Sequence, residues 1–113
     1  MPVFRTIDET LTGTVSGGST TCGTFVPRPC VVRSLGIHHT GRIDATLTWN
    51  GTADLDLQLW RSGASSEIAS SDGVGGTERV SADVTGGSTY ELRVIYYSGA
   101  TAANYILRVI HPN

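Results

Sequence analysis

Asp54-Leu55-Asp56-Leu57-Gln58-Leu59-Trp60 is the stretch that decides the fold. Leucines alternate with two carboxylates, an amide and an indole, and a period of two belongs to a β-strand. The leucines take one face, which is core. Asp54, Asp56, Gln58 and Trp60 take the other, and a tryptophan on a polar sheet face calls for a cover or a partner.

The flanks repeat the pattern. Before the stretch, Asn50-Gly51 is a turn signal, because both residues tolerate positive φ. Upstream of that turn Ile43, Ala45, Leu47 and Trp49 alternate with Asp44, Thr46 and Thr48, which places Trp49 in the core. Cys30 to His38 alternates with Val31, Arg33, Leu35 and Ile37 on one side, and His39-Thr40-Gly41 turns the chain. Phe4 to Val15 is extended and Thr-rich, ending at Ser16-Gly17-Gly18-Ser19. After the stretch, Arg61-Ser62-Gly63 ends the strand, a short run covers Glu67 to Ser70, and Asp72-Gly73-Val74-Gly75-Gly76 is a Gly-rich connection. Thr77 to Val84 turns Val80, Ala82 and Val84 inward. Thr89 to Tyr97 turns Tyr90, Leu92, Val94 and Tyr96 inward and leaves Glu91, Arg93, Ile95 and Tyr97 outside. Asn104 to Ile110 contributes Tyr105, Leu107 and Val109.

No segment carries a helical period. Strands with one apolar face each must pack in two layers, so the expectation is an all-β fold, an antiparallel β-sandwich of jelly-roll type with about eight strands. A chain of 113 residues suits a single domain over 1–113. Val-Ser-Gly-Gly-Ser-Thr at 15–20 and Val-Thr-Gly-Gly-Ser-Thr at 84–89 are two similar turns, because their flanks diverge.

Composition narrows the function. A formal charge of −2 offers no basic field for nucleic acid. All eight basic residues other than histidine are arginine, which rules out lysine chemistry such as Schiff-base formation. Cys22 and Cys30 flank a short Pro-containing loop, and a disulfide there suits an oxidising compartment and adds roughly 2–3 kcal/mol by chain entropy. Two cysteines alone make neither a zinc site nor a CxxC redox motif. No run approaches the roughly 18 apolar residues of a membrane helix. The N-terminus lacks the basic-then-apolar layout of a signal peptide, so a secreted chain would already have lost its leader.

The segment from Gly41 to Val109 resembles the bacterial pre-peptidase C-terminal (PPC) domain. The resemblance rests on Gly41-Arg42-Ile43 with Leu47-Thr48-Trp49, then the Asp54 to Trp60 stretch, Ile68-Ala69-Ser70-Ser71 and Glu78-Arg79-Val80. It continues through Gly87 before Thr89-Tyr90-Glu91-Leu92-Arg93-Val94 and ends at Tyr105-Ile106-Leu107-Arg108-Val109. Leu11-Thr12-Gly13-Thr14-Val15 is similar to that family's first strand, and the cysteine loop, residues 22–30, stands as an insertion. The resemblance implies a non-catalytic β-sandwich carried beside secreted peptidases, with related modules that bind collagen or polysaccharide, some of them with calcium. The family commonly places tyrosines on the outer face of this strand, where the present chain has Gln58 and Trp60.

Two candidate sites follow. Asp54 and Asp56, with Asp72 in a nearby loop, supply the hard oxygen donors that calcium takes. The bland alternative is that Asp54 caps a turn while Asp56 pairs with Arg93 or Arg108. The second candidate is an outer sheet face with Trp60, Gln58, Arg93, Tyr97 and Arg108, an aromatic, amide and guanidinium surface suited to sugars or extended peptides. Catalytic residues are not expected: there is no Gly-x-Ser-x-Gly or His-Glu-x-x-His motif. His38 and His39 read as turn residues and His111 as a solvated tail. The expected role is an extracellular accessory module attached to a polysaccharide or collagen-like polymer. The alternative is a structural subunit that pairs with identical chains through the same face.

Overall fold

The computed structural model describes residues 6–22, 28–73, 76–99 and 102–112. The expectations for Phe4, for residues 23–27 of the cysteine loop and for Val74 and Gly75 lie outside the described residues. Nine strands and no helix are present among those described: β1 (Thr6–Ser16), β2 (Thr21–Cys22), β3 (Arg28–Ile37), β4 (Gly41–Trp49), β5 (Asp54–Arg61), β6 (Ala69–Ser71), β7 (Thr77–Val84), β8 (Ser88–Ser98) and β9 (Ala102–Pro112). They form two antiparallel sheets, ordered β1-β9-β4-β7 and β2-β3-β8-β5-β6. The strand beyond the expected eight is β2, a two-residue segment whose pairing with β3 sets Cys22 opposite Arg28.

The Cys22–Cys30 disulfide closes this hairpin with a Cα separation of 5.8 Å. Its neighbours in register carry the outer face of the five-stranded sheet, since Cys30 stands opposite Ile95 on β8.

The opening stretch is β5, paired with β8 so that Leu57 faces Val94 and Leu59 faces Leu92. These side chains are buried together with Leu55, Leu35, Ile37 and Tyr90. Against them pack Ile43, Ala45, Leu47 and Trp49 of β4, Val80 and Val84 of β7, and Ala103, Tyr105, Leu107 and Val109 of β9. Opposite the start of β5 the register steps from Asp54↔Ser98 to Leu55↔Tyr96, so Tyr97 is the extra residue of a bulge on β8. In the connection from β4, which crosses to the other sheet, Gly51 adopts φ +96°, a conformation glycine takes at no steric cost.

Two polar links border the apolar interior. Trp49 Nε1 donates to the Ala53 carbonyl at 2.7 Å. Arg33 has the inward parity of Leu35 and Ile37, and it spans the sandwich: Nη2 donates to the Thr12 carbonyl at 2.6 Å and Nε to Tyr105 Oη at 3.3 Å. A guanidinium can occupy that position because it lies at the margin of the core, where those acceptors satisfy it. The β7–β8 turn seats against the β3–β4 turn, and a Cβ on Gly86 would come within 2.7 Å of the His38 carbonyl oxygen.

Candidate functional site

The outer face of the five-stranded sheet collects the side chains that alternation turned away from the core. In register, Gln58 lies beside Arg93 and Trp60 beside Glu91, and Val32 and Ser34 of β3 flank them on the far side. Trp60 is not left bare. Its Nε1 donates to Gln58 Oε1 at 2.9 Å, and the Arg93 guanidinium lies 4.0 Å from its ring centroid. Arg93 is held in turn by Glu91, which accepts from Nε at 3.2 Å and Nη2 at 3.0 Å. Only 19% and 23% of these two side chains is exposed, so the pair is shielded enough to fix the guanidinium over the indole.

A second stack lies along the same face. Arg28 sits 4.0 Å from the Tyr97 ring centroid, and its Nη1 donates to the Tyr97 carbonyl at 3.4 Å. Tyr97 itself is 48% exposed. Arg28 was absent from the residues expected at this face. Its position in the Pro-rich loop hid the pairing that β3 imposes.

Arg108 does not belong to this face. Its parity on β9 is outward, as expected, but β9 lies in the four-stranded sheet, so it emerges on the opposite side of the molecule. There it binds Asp8 through Nε at 3.0 Å and Nη2 at 2.6 Å. His111 also departs from expectation: it is buried at the end of β9, opposite Ile7, rather than a solvated tail. Its Nε2 lies 3.4 Å from Glu9 Oε1.

The carboxylates of β5 meet partners of their own sign. Asp54, Asp56, Asp72 and Tyr97 line a cavity of about 280 Å³. Asp54 and Asp56 each bring an oxygen within 4.8 Å of one from Glu78. Glu78 was not among the expected site residues, although it shares the inward parity of Val80, Ala82 and Val84 on β7. It is 3% exposed, and one of its oxygens accepts from Ser71 Oγ. The Asp56 pairing with Arg93 or Arg108 does not form, because those arginines are committed to Glu91 and Asp8. Burial pushes the Asp56 carboxyl up to about 6, and the charges of Asp54, Glu78 and Asp72 add to the effect against a smaller opposing pull from Arg28.

The exposed carboxylates of the other sheet behave oppositely. The hydrogen bonds from Arg108 to Asp8 and from Arg79 to Asp44 hold both carboxyls below their usual value of 3.8. A lowered folded-state value makes the contribution of each pair fully present above the unfolded pKa and lost as pH falls through the folded one. Carboxyl-carbon NMR titration is expected to give midpoints below 3.8 for Asp8 and Asp44. A midpoint at or above that value for either would show that its pair does not persist in solution.

The comparisons with known proteins agree with this architecture. The chain is similar to the pre-peptidase C-terminal domain of collagenase from Bacillus anthracis, with a TM-score of 0.70 and 18% identity over 91% of this chain and 89% of that one. The fold is that of a PPC domain. The same sandwich is shared with PliG, a periplasmic inhibitor of g-type lysozyme from Aeromonas hydrophila, at a TM-score of 0.60 and 14% identity over 94% and 86% of the two chains. It is shared too with the Yersinia pseudotuberculosis-derived mitogen, at 0.62 and 21% identity over 93% and 86%. No family model matches the sequence. No curated protein matches it. Among the described residues no helix is long and apolar enough to cross a membrane.

Proposed function

We propose that this chain is a secreted, non-catalytic accessory module that attaches to a polymeric ligand, a polysaccharide or a collagen-like protein, through the outer face of its five-stranded sheet. The observation that supports it is the Glu91-Arg93-Trp60-Gln58 array. Ion pair, cation–π contact and amide hydrogen bond hold an indole and a guanidinium rigidly on strands rather than on loops. A platform fixed before binding loses little entropy when a ligand arrives. Tyr97 and Arg28 extend it along the sheet, giving a linear surface suited to a chain-like ligand. The disulfide and the periplasmic provenance of PliG support an oxidising, extracytoplasmic setting.

Trp60→Ala removes the aromatic half of the platform. Its retention on insoluble polysaccharide or collagen is expected to fall at least about tenfold relative to the parent, in line with the energies of aromatic anchors. Equal retention by parent and variant would refute the reading.

A second reading, self-association through the same face, is favoured by the exposure of Val32 and Ile68. Val32 stands opposite Arg93, and Ile68 immediately precedes β6 at the sheet edge. Light scattering separates the two. An oligomer that dissociates on Trp60→Arg supports self-association, and a monomer supports the polymer-binding module.

A further inference from the structure

The two outer faces of the sandwich differ in kind. On the four-stranded sheet the register sets Thr12, Ile106 and Thr48 in one row across β1, β9 and β4. Two residues along, Thr14 stands opposite Asn104 in a second outward row. Between them lies the row Gly13, Tyr105 and Trp49, whose parity turns the two aromatic side chains into the core and leaves main chain outside. With Asn50, just past β4, these rows line a cavity of about 430 Å³, a size that small-molecule sites commonly have.

The charged groups of this face are drawn away from the cavity. Arg108 and Arg79 belong to the next row, opposite Thr10 and Thr46. Each reaches one row farther, to Asp8 and Asp44, which both stand opposite Ile110. Both guanidiniums therefore lean toward the far end of the sheet, and Ile106, left uncovered, is 51% exposed. No charged residue lines the cavity among the described residues. What lines it is hydroxyl, amide and one aliphatic side chain. Thr14 Oγ1 donates to Asn104 Oδ1 at 2.8 Å, which occupies the amide oxygen and leaves the amide nitrogen to donate outward. The floor is fixed from behind, since Arg33 holds both the Thr12 carbonyl and the Tyr105 hydroxyl. Gly13 admits this packing, because a Cβ there would come within 2.5 Å of Tyr105 Oη.

We propose that this cavity binds a single neutral sugar unit, on the opposite side of the molecule from Trp60. A pyranose ring has an apolar C–H face and a rim of hydroxyls that both donate and accept. Ile106 matches the first, and Thr12, Thr14, Thr48, Asn50 and Asn104 match the second. A uronate, a sulfate or an ionised peptide side chain would find no counter-charge here, and desolvating a charge without one is costly. The trough spans three strands, roughly 10 Å across at about 4.8 Å per strand, so it suits one unit or a chain end rather than a long run of polymer. The site shares no residue with the Trp60 platform and stands or falls independently of the polymer-binding reading. With both faces occupied, one module would bridge two chains and gain avidity from the pair.

The test titrates the methyl glycosides of glucose, galactose and N-acetylglucosamine into isotope-labelled protein and follows the NMR spectrum. At least one is expected to shift the side-chain amide signals of Asn50 and Asn104 and the methyl signals of Ile106, with saturation at millimolar sugar. Glucuronate at the same concentration should leave them in place. Asn104→Asp keeps the shape of the side chain but removes its N–H donor and adds a charge, so it should weaken binding at least about fivefold, the worth of one ordinary hydrogen bond. Ile106→Lys, which puts a charge in the same trough, provides that comparison if Asn104→Asp fails to fold. Trp60→Ala should bind the glycoside as the parent does. Absence of saturable shifts at the cavity with all three glycosides would overturn the proposal. So would an equal response to glucuronate, undiminished binding by the cavity variants, or a response that disappears with Trp60→Ala.

Discussion

Leu57→Ala is expected to lower the unfolding free energy by about 2–5 kcal/mol, the range for truncating a leucine in a core that cannot collapse around the gap. Leu57 is fully buried at the middle of β5. It sits between Val94 of β8 and Ser71 of β6 in register, with Leu55 and Leu59 on the same face. Its neighbours are tied into two ladders, so the backbone has little freedom to close the cavity. Denaturant unfolding should show a lower midpoint with an unchanged slope. A loss under about 1 kcal/mol would mean that this leucine does not hold the centre of the sandwich.

Trp49→Ala is expected to cost about 3–5 kcal/mol, and the more informative variant is Trp49→Phe. Phenylalanine retains most of the apolar contact but removes the indole N–H that reaches the Ala53 carbonyl. Ala53 is buried, so the abandoned carbonyl carries a desolvation cost of about 1–3 kcal/mol. If Trp49→Phe is as stable as the parent, Trp49 acts by volume alone and its hydrogen bond does not organise the turn into β5. If it loses more than half of what Trp49→Ala loses, the hydrogen bond is the larger part of its role.

Much of the fold could be read from alternation. For β4 and β5 the expected inward residues are the buried ones, since period two depends only on the strand itself; on β8 and β9 alternation also finds Tyr90, Leu92, Val94, Tyr105, Leu107 and Val109, but Ile95 and His111, expected outside, are buried too and Tyr96 is only half-buried. Alternation is blind to everything beyond the strand. It assigned Arg108 correctly to an outer face and said nothing about which sheet that face belongs to, which is why Arg108 was grouped with Trp60 although it lies across the sandwich. Strand order depends on contacts far apart in sequence, such as β1 with β9, and no local signal reports them.

The carboxylates show a similar boundary. Asp54, Asp56 and Asp72 stood out because they are close in sequence. Glu78 came from another sheet, and its one warning was its place among the inward residues of β7, a glutamate where a valine would be expected. A charged residue on a core parity is a stronger signal than a charged residue on a polar one. His111 carries the same signal, since it shares parity with Tyr105, Leu107 and Val109. For Trp60, Gln58 and Arg93 the sequence showed a shared face, whereas the ion pair with Glu91 that makes the array rigid needed rotamers that a sequence does not display.

Arg33 has a consequence for how this chain meets other chains. β1 is an edge strand eleven residues long, and a long edge is a template on which a foreign strand can add. No proline and no lysine interrupts it. Near its middle, however, the Thr12 carbonyl is occupied by a guanidinium that arrives from the opposite sheet. That arginine makes β1 a poorer nucleus for strand-by-strand aggregation than its length and threonine content would suggest.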